Sequence, residues 1–160
     1  MDMQFSSSNQ HNNNNNNNNN THVHAPNSHY ILIVDDEPDI LSIVRRVLEE
    51  YGFNICCFTK PNIALEHYRI SPNNHSLVIS DLHMPNINGM EFLRKVREIN
   101  SDTKIFLTTS NFEMSDLGVL LFPNSNLSSS LNNFIIDEFI QKPFSIEQLI
   151  VLIRRHVLST

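Results

Sequence analysis

The chain has 160 residues, 40% of them hydrophobic, with a formal net charge of −6. That is room for one ordinary domain with its own core and hardly for two, and the acidic balance argues against direct nucleic-acid binding, which wants a basic face. No apolar run approaches the roughly 20 residues that a bilayer-crossing helix needs, so no membrane association is expected.

Residues 1–29 contain "NNNNNNNNN" at 12–20, no Lys or Arg and a single acid, Asp2. Such a polar tract cannot offset the entropy of ordering itself, so it is expected to be a disordered Asn-rich tail. It lacks the basic, apolar and cleavage-site succession of a secretory signal. Its four histidines, His11, His22, His24 and His29, have no cysteine or spaced partner that would make a metal site. The domain is expected over 30–160, which holds 16 of the 17 acids and all 11 bases, a net charge of −5. Cys56 and Cys57 are neighbours, with no third cysteine to pair. Two free thiols in a reducing cytoplasm are the expectation.

From residue 30 the pattern alternates. "YILIVD" (30–35) is a continuous apolar run, as a strand buried on both faces reads. "EPDILSIVRRVLEEY" then puts Ile40, Leu41, Val44, Val47, Leu48 and Tyr51 on one helical face, with Pro38 in the first turn and Gly52 as the stop. "FNICCF" (53–58) is a second strand, and a helix opened by Thr59 and Pro61 runs to about Ile70. "SLVIS" (76–80) is a third strand, followed by a helix over 90–99 with Phe92, Leu93 and Val96 inward. "KIFLT" (104–108) and "IIDEFI" (135–140) are the fourth and fifth strands. The last helix, about 146 to 158, follows Ser145 and Gln148 at capping-box spacing, and Ile146, Leu149, Ile150, Ile153 and Val157 form its inner stripe. Five strands alternating with helices predict an α/β fold, a parallel sheet covered on both faces.

All strand C-termini of such a sheet share one edge, where ligands bind at the switch in strand order. Asp35 and Asp36 follow the first strand, Asp81 the third and Lys142 the fifth, and Thr108 ends the fourth. Each alone is ordinary turn chemistry; their arrival on one rim is not. Three carboxylates in a cleft repel unless a cation joins them, and oxygen donors without His or Cys suit Mg2+. Metal, lysine and hydroxyl around a free carboxylate describe a site for forming an aspartyl phosphate.

The segments "ILIVDDEPDI", "VISDLHMPNINGMEFL", "IFLTTS" and "FIQKPF", in that order, resemble the receiver domain of two-component response regulators over roughly 30–158. The resemblance implies a flavodoxin-like fold of strand order 2-1-3-4-5. By position it implies Asp81 as phosphoacceptor, Mg2+ held directly by Asp36 and Asp81 and by the backbone carbonyl of His83, and Asp35 acting closely or through water. It implies that Thr108 bonds the phosphoryl group, that Lys142 pairs with it, and that Phe139 is the switching aromatic. Lys142-Pro143 matches a peptide bond that is usually cis in these domains. The loop through Pro85 and Gly89 would then cover one side of the site.

Several residues keep two readings. Glu37 is a solvated first-turn residue or lies in the shell around the metal. His83 is an exposed loop histidine or influences water attack on the acyl phosphate, and Ser110 stands similarly. Thr109 occupies a place where the family prefers a smaller residue. Arg154 and Arg155 form an exposed face or a partner contact. The chain also departs from the family: Thr108 and Lys142 are 34 positions apart, longer than usual. A helix over about Glu113 to Leu121 and a flexible insertion at 122–133, marked by Pro123, are expected there.

The expected function is a stand-alone, non-enzymatic receiver that takes phosphate from a histidine kinase or phosphotransfer protein and signals through a separate effector protein. Three alternatives remain. An aspartyl-nucleophile phosphatase would want an acid at position 83. A flavin or nucleotide binder would want a Gly- or Ser/Thr-rich loop where "DDEPD" stands. A receiver-like binding module would keep the fold and discard the phosphorylation.

Overall fold

The computed structural model describes residues 29–85, 88–110 and 136–157. The Asn-rich tract and its first three histidines, the helix expected from Glu113 and the insertion at 122–133 lie outside the described residues.

Five strands, β1 (Tyr30–Val34), β2 (Asn54–Phe58), β3 (His75–Asp81), β4 (Lys104–Thr109) and β5 (Glu138–Gln141), form one parallel sheet in the order β2-β1-β3-β4-β5. Among the described residues the α-helices are α1 (Pro38–Glu50), α2 (Pro61–Ile70), α3 (Gly89–Ile99) and α4 (Ile146–Val157). The predicted flavodoxin-like order is the observed one. Side chains alternate across the sheet: Leu32, Val34, Val78, Ile105 and Leu107 pack with α2 and α3. Ile31, Ile33, Leu77, Ile79 and Phe106 pack with α1 and α4. Two covered faces are what unbroken apolar runs require.

Burial docks these helices more than their charges do. Leu41, Val44 and Leu48 of α1 are buried, each stabilising by about 1.5–3 kcal/mol. The exposed pairs Arg45–Glu49 at 2.8 Å and Arg46–Glu50 at 3.4 Å add only about 0.3–0.5 kcal/mol apiece. The inner face ends one residue early, however. Tyr51 follows the helix and is exposed, with the Arg154 guanidinium 5.9 Å from its ring centre. At Gly52, φ is +88°, which turns the chain out of the helix directly after Tyr51. Asn88 caps α3, its side chain accepting the Met90 N–H at 2.8 Å. Ser145 precedes α4 as expected, its hydroxyl accepting the Gln148 N–H at 3.1 Å.

Strand β5 starts later than its apolar run suggests because Asp137 has another task. Its carboxylate accepts the Ile105 N–H at 2.9 Å and meets Arg97 and Lys104, each at 3.1 Å. Arg97 also donates to the carbonyls of Ser101 and Thr103, so this acid ties α3, β4 and the approach to β5 together. Burial works against its charge, yet the bonds from Ile105, Lys104 and Arg97 outweigh it and hold the carboxyl below its ordinary range. Its stabilisation is therefore present above the unfolded value and lost as pH falls through the lower folded one. Asp137→Ala is expected to cost about 2–4 kcal/mol in urea unfolding at neutral pH, with the deficit shrinking below about pH 4. A deficit independent of pH would contradict the charge-based account.

Candidate functional site

The site forms where the strand order reverses between β1 and β3. Asp81 is the last residue of β3 and stands in register with Thr108 of β4, which in turn faces Ile140 of β5. Val34 pairs with Ser80, which places the next residue, Asp35, beside Asp81. Lys142 follows β5, its N–H bonded to the Thr109 carbonyl at 2.8 Å. Sheet register alone thus gathers two acids, a hydroxyl and an amine at one edge.

Asp35 and Asp81 are each 5% exposed and Thr108 is 3% exposed. Two buried carboxylates side by side are unfavourable, and the Lys142 ammonium resolves this by sitting between them. It lies 2.7 Å from Asp35 Oδ2 and 2.9 Å from Asp81 Oδ1, with Glu37 Oε1 further off at 3.9 Å. Burial pulls the lysine pKa down, but the bonds and charges of Asp35 and Asp81 more than offset it, leaving the group above its ordinary value. The ammonium therefore stays charged at neutral pH, and its contribution is lost only as pH rises through that raised value.

Backbone N–H groups aim the two acids. Asp35 Oδ1 accepts from Glu37 at 2.9 Å, and Asp81 Oδ2 accepts from His83 at 3.0 Å. Thr108 donates its hydroxyl to the Ser80 carbonyl over a long 3.4 Å. Thr109 is wholly buried beside it, while Ser110 and the His83 side chain are exposed. Phe139, on β5 in register with Leu107, is 39% exposed. The Lys142-Pro143 bond is cis. The structure thus brings Asp35, Asp81, Thr108 and Lys142 together, whereas Asp36, the next residue along the chain, is exposed and makes none of these contacts.

The donor set suits a hard divalent cation. Two buried carboxylates against one ammonium leave a net negative charge, with both acids sharing that single amine. Oxygen donors only match the coordination habits of Mg2+.

One necessity of this loop was not read from the sequence. A Cβ on Gly89 would stand 1.9 Å from the Asp81 carbonyl oxygen. The glycine is thus part of what positions Asp81, and only its location in the broken loop hinted at this.

Fold and crevice together define a flavodoxin-like domain with an acid-and-lysine site at its topological switch point. A family model of the response regulator receiver domain matches residues 31–154. The chain belongs to that family, whose members are signalling modules of two-component systems. It is 31% identical over 124 residues to the response regulator ArlR of Staphylococcus saprophyticus, covering 78% of this chain and 50% of that protein. Over 91 residues it is 34% identical to the sensor protein EvgS of Escherichia coli (strain K12), covering 57% of this chain and 7% of that protein. The chain thus spans at most about half the length of these curated relatives. Among solved structures, the response regulator TrrA of Thermotoga maritima, in complex with Mg2+-BeF, aligns with TM-score 0.62 and 29% identity. That alignment covers 81% of this chain and 99% of TrrA. A receiver domain protein from Clostridium thermocellum, at 23% identity and TM-score 0.67, shares the fold, with 81% and 94% of the two chains covered. Among the described residues no helix is long and apolar enough to cross a membrane.

Proposed function

We propose that Asp81 accepts a phosphoryl group from a histidine kinase or phosphotransfer protein in the cytoplasm, and that this changes the affinity of the 30–160 domain for a separate effector protein. The observation that supports this best is the pairing of Lys142 with both Asp35 and Asp81 in the switch-point crevice. An oxygen of the Asp81 carboxylate attacks phosphorus as the bond to the donor nitrogen breaks, the electron pair leaving with that nitrogen. Asp35, Asp36, Asp81 and the backbone carbonyl of His83 would hold Mg2+. When bound, that ion neutralises charge on the phosphoryl oxygens.

The chain's own residues do the rest. The His83 N–H orients Asp81 through Oδ2. Lys142 already faces Oδ1, so it needs little movement to pair with the arriving phosphoryl oxygens. Thr108 has only the long bond to Ser80 to give up before turning to the same group. Phosphorylation adds about −1.5 to −2 charge at neutral pH, which draws Thr108 inward, and Phe139 follows from its exposed position. The switch extends only as far as these contacts differ between the two states.

The test exposes the protein to a small acyl phosphate with Mg2+ and compares wild type with Asp81→Asn by intact mass. One phosphoryl group on wild type and none on the variant is the expected result. Persistent labelling of the variant would reject the site, and an unlabelled wild type would favour a binding module instead.

A further inference from the structure

A second cluster lies at the opposite end of β3 and is independent of the phosphorylation reading. Cys56 of β2, His67 of α2 and His75, the first residue of β3, bring one ligand atom each within 4.8 Å of one another. The rings of His67 and His75 stand edge to face at 5.4 Å, with Phe58 5.0 Å from His67 and Tyr68 5.3 Å from His75. Aromatic packing explains the rings. It does not explain a buried ring nitrogen of His75 that is left without a hydrogen-bond partner among the described residues.

His75 is 3% exposed. Its Nδ1 lies 3.0 Å from the Ser71 carbonyl, an acceptor only, so Nδ1 carries the proton. Nε2 of the neutral ring is then a bare acceptor, buried, with no hydrogen-bond partner among the described residues. Burial, the largest effect on this imidazole, keeps it neutral. A ring nitrogen fixed by a backbone carbonyl through the other nitrogen is the arrangement that metal-binding histidines adopt. The nearby groups that complete it are a thiol and a second imidazole.

We propose that Cys56, His67 and His75 form a binding site for a thiophilic d10 cation of the zinc class. One sulfur and two imidazole nitrogens suit Zn2+ and exclude Mg2+ or Ca2+ by softness. Around zinc, ligand atoms stand roughly 3.3–3.6 Å apart, given ordinary Zn–N and Zn–S lengths. The cluster closes to that spacing by about 1 Å of side-chain rotation at His67 and Cys56, both half-buried rather than locked in the core. Binding replaces the thiol proton with the metal, and the proton goes to solvent. A fourth position is left for water, as in three-ligand zinc sites. The site bridges the edge strand β2, helix α2 and central strand β3, with His75 about 20 Å from Asp81 along β3. It would clamp α2 to the sheet.

The experiment titrates the full reduced chain with Co2+ as a spectroscopic stand-in, then displaces it with Zn2+. Wild type is expected to show a near-ultraviolet thiolate-to-cobalt band saturating at one equivalent, abolished by Zn2+ but not by excess Mg2+. Cys57→Ser should keep the band and Cys56→Ser should lose it. His67→Gln, at a half-buried helix position outside the buried core, should weaken binding by about 100-fold or more. Neither the tail histidines nor the acidic crevice contains a thiolate, so they cannot produce the band. No band in wild type, or an unchanged one in Cys56→Ser, would overturn the site.

Discussion

Lys142→Met is expected to lower the unfolding free energy by about 3–5 kcal/mol at neutral pH without divalent ions, the usual cost of leaving a buried charge without its partner. Lys142 is the ammonium that faces both Asp35 and Asp81, and all three side chains are largely buried, at 12%, 7% and 7% exposure. Methionine fills much of the same space, so the loss would be electrostatic rather than a cavity effect. A double variant separates these causes. Adding Asp35→Asn to Lys142→Met should recover most of the loss, because the two changes share one interaction and cannot be additive. Urea unfolding of the four proteins of this cycle measures the recovery. A deficit under about 1 kcal/mol would mean that the acids tolerate each other without the lysine, and the reading of the crevice as a charge-balanced site would fail.

Strands β1, β3 and β4 were legible because each is covered on both faces, and a doubly covered strand has no polar side to interrupt its run. Residues 30–34 and 76–80 announce themselves in that way. Site acids were legible for a related reason: a carboxylate closing an apolar run must emerge at a strand end, and all strand ends of a parallel sheet share one edge. What the pattern does not carry is side-chain direction past the strand end. Asp35 and Asp36 are consecutive, yet Asp35 turns in to Lys142 while Asp36 is exposed. Apolar character also misleads locally, since Ile43 and Val151 are 62% and 58% exposed on their helices. The Cys56, His67 and His75 cluster was hidden for a different reason. It depends on Tyr30 pairing with both Asn54 and His75, which fixes how far β2 and β3 are slid against β1. Spacing along the chain gives no measure of that.

Gly89→Ala is expected to damage the site more than the fold, which inverts the usual behaviour of glycine in a helix. Alanine is worth about 1 kcal/mol more than glycine in a helix interior, and no positive φ is recorded at Gly89 that would reserve the position for glycine. Space decides instead. The added carbon would stand 1.9 Å from the Asp81 carbonyl oxygen, 2.9 Å from its carbonyl carbon and 3.0 Å from Leu82 Cα. All three are backbone atoms that cannot swing aside, so either α3 retreats or the end of β3 moves. The Gly89 N–H bond to the Leu82 carbonyl, 3.0 Å long, would be strained with them. Overpacking of this kind costs about 1–3 kcal/mol. A shift of about 1 Å in a reacting group costs roughly 100-fold in rate, so the labelling of Asp81 proposed above should slow by about that factor in protein that is still folded. Gly52→Ala supplies the opposite case. Its φ of +88° strains any side chain while nothing lies within 4 Å of the added carbon, so about 1–2 kcal/mol of stability should go with labelling unchanged. If the two variants slowed labelling equally at matched stability, the contact between Gly89 and Asp81 would have no role in positioning the carboxylate.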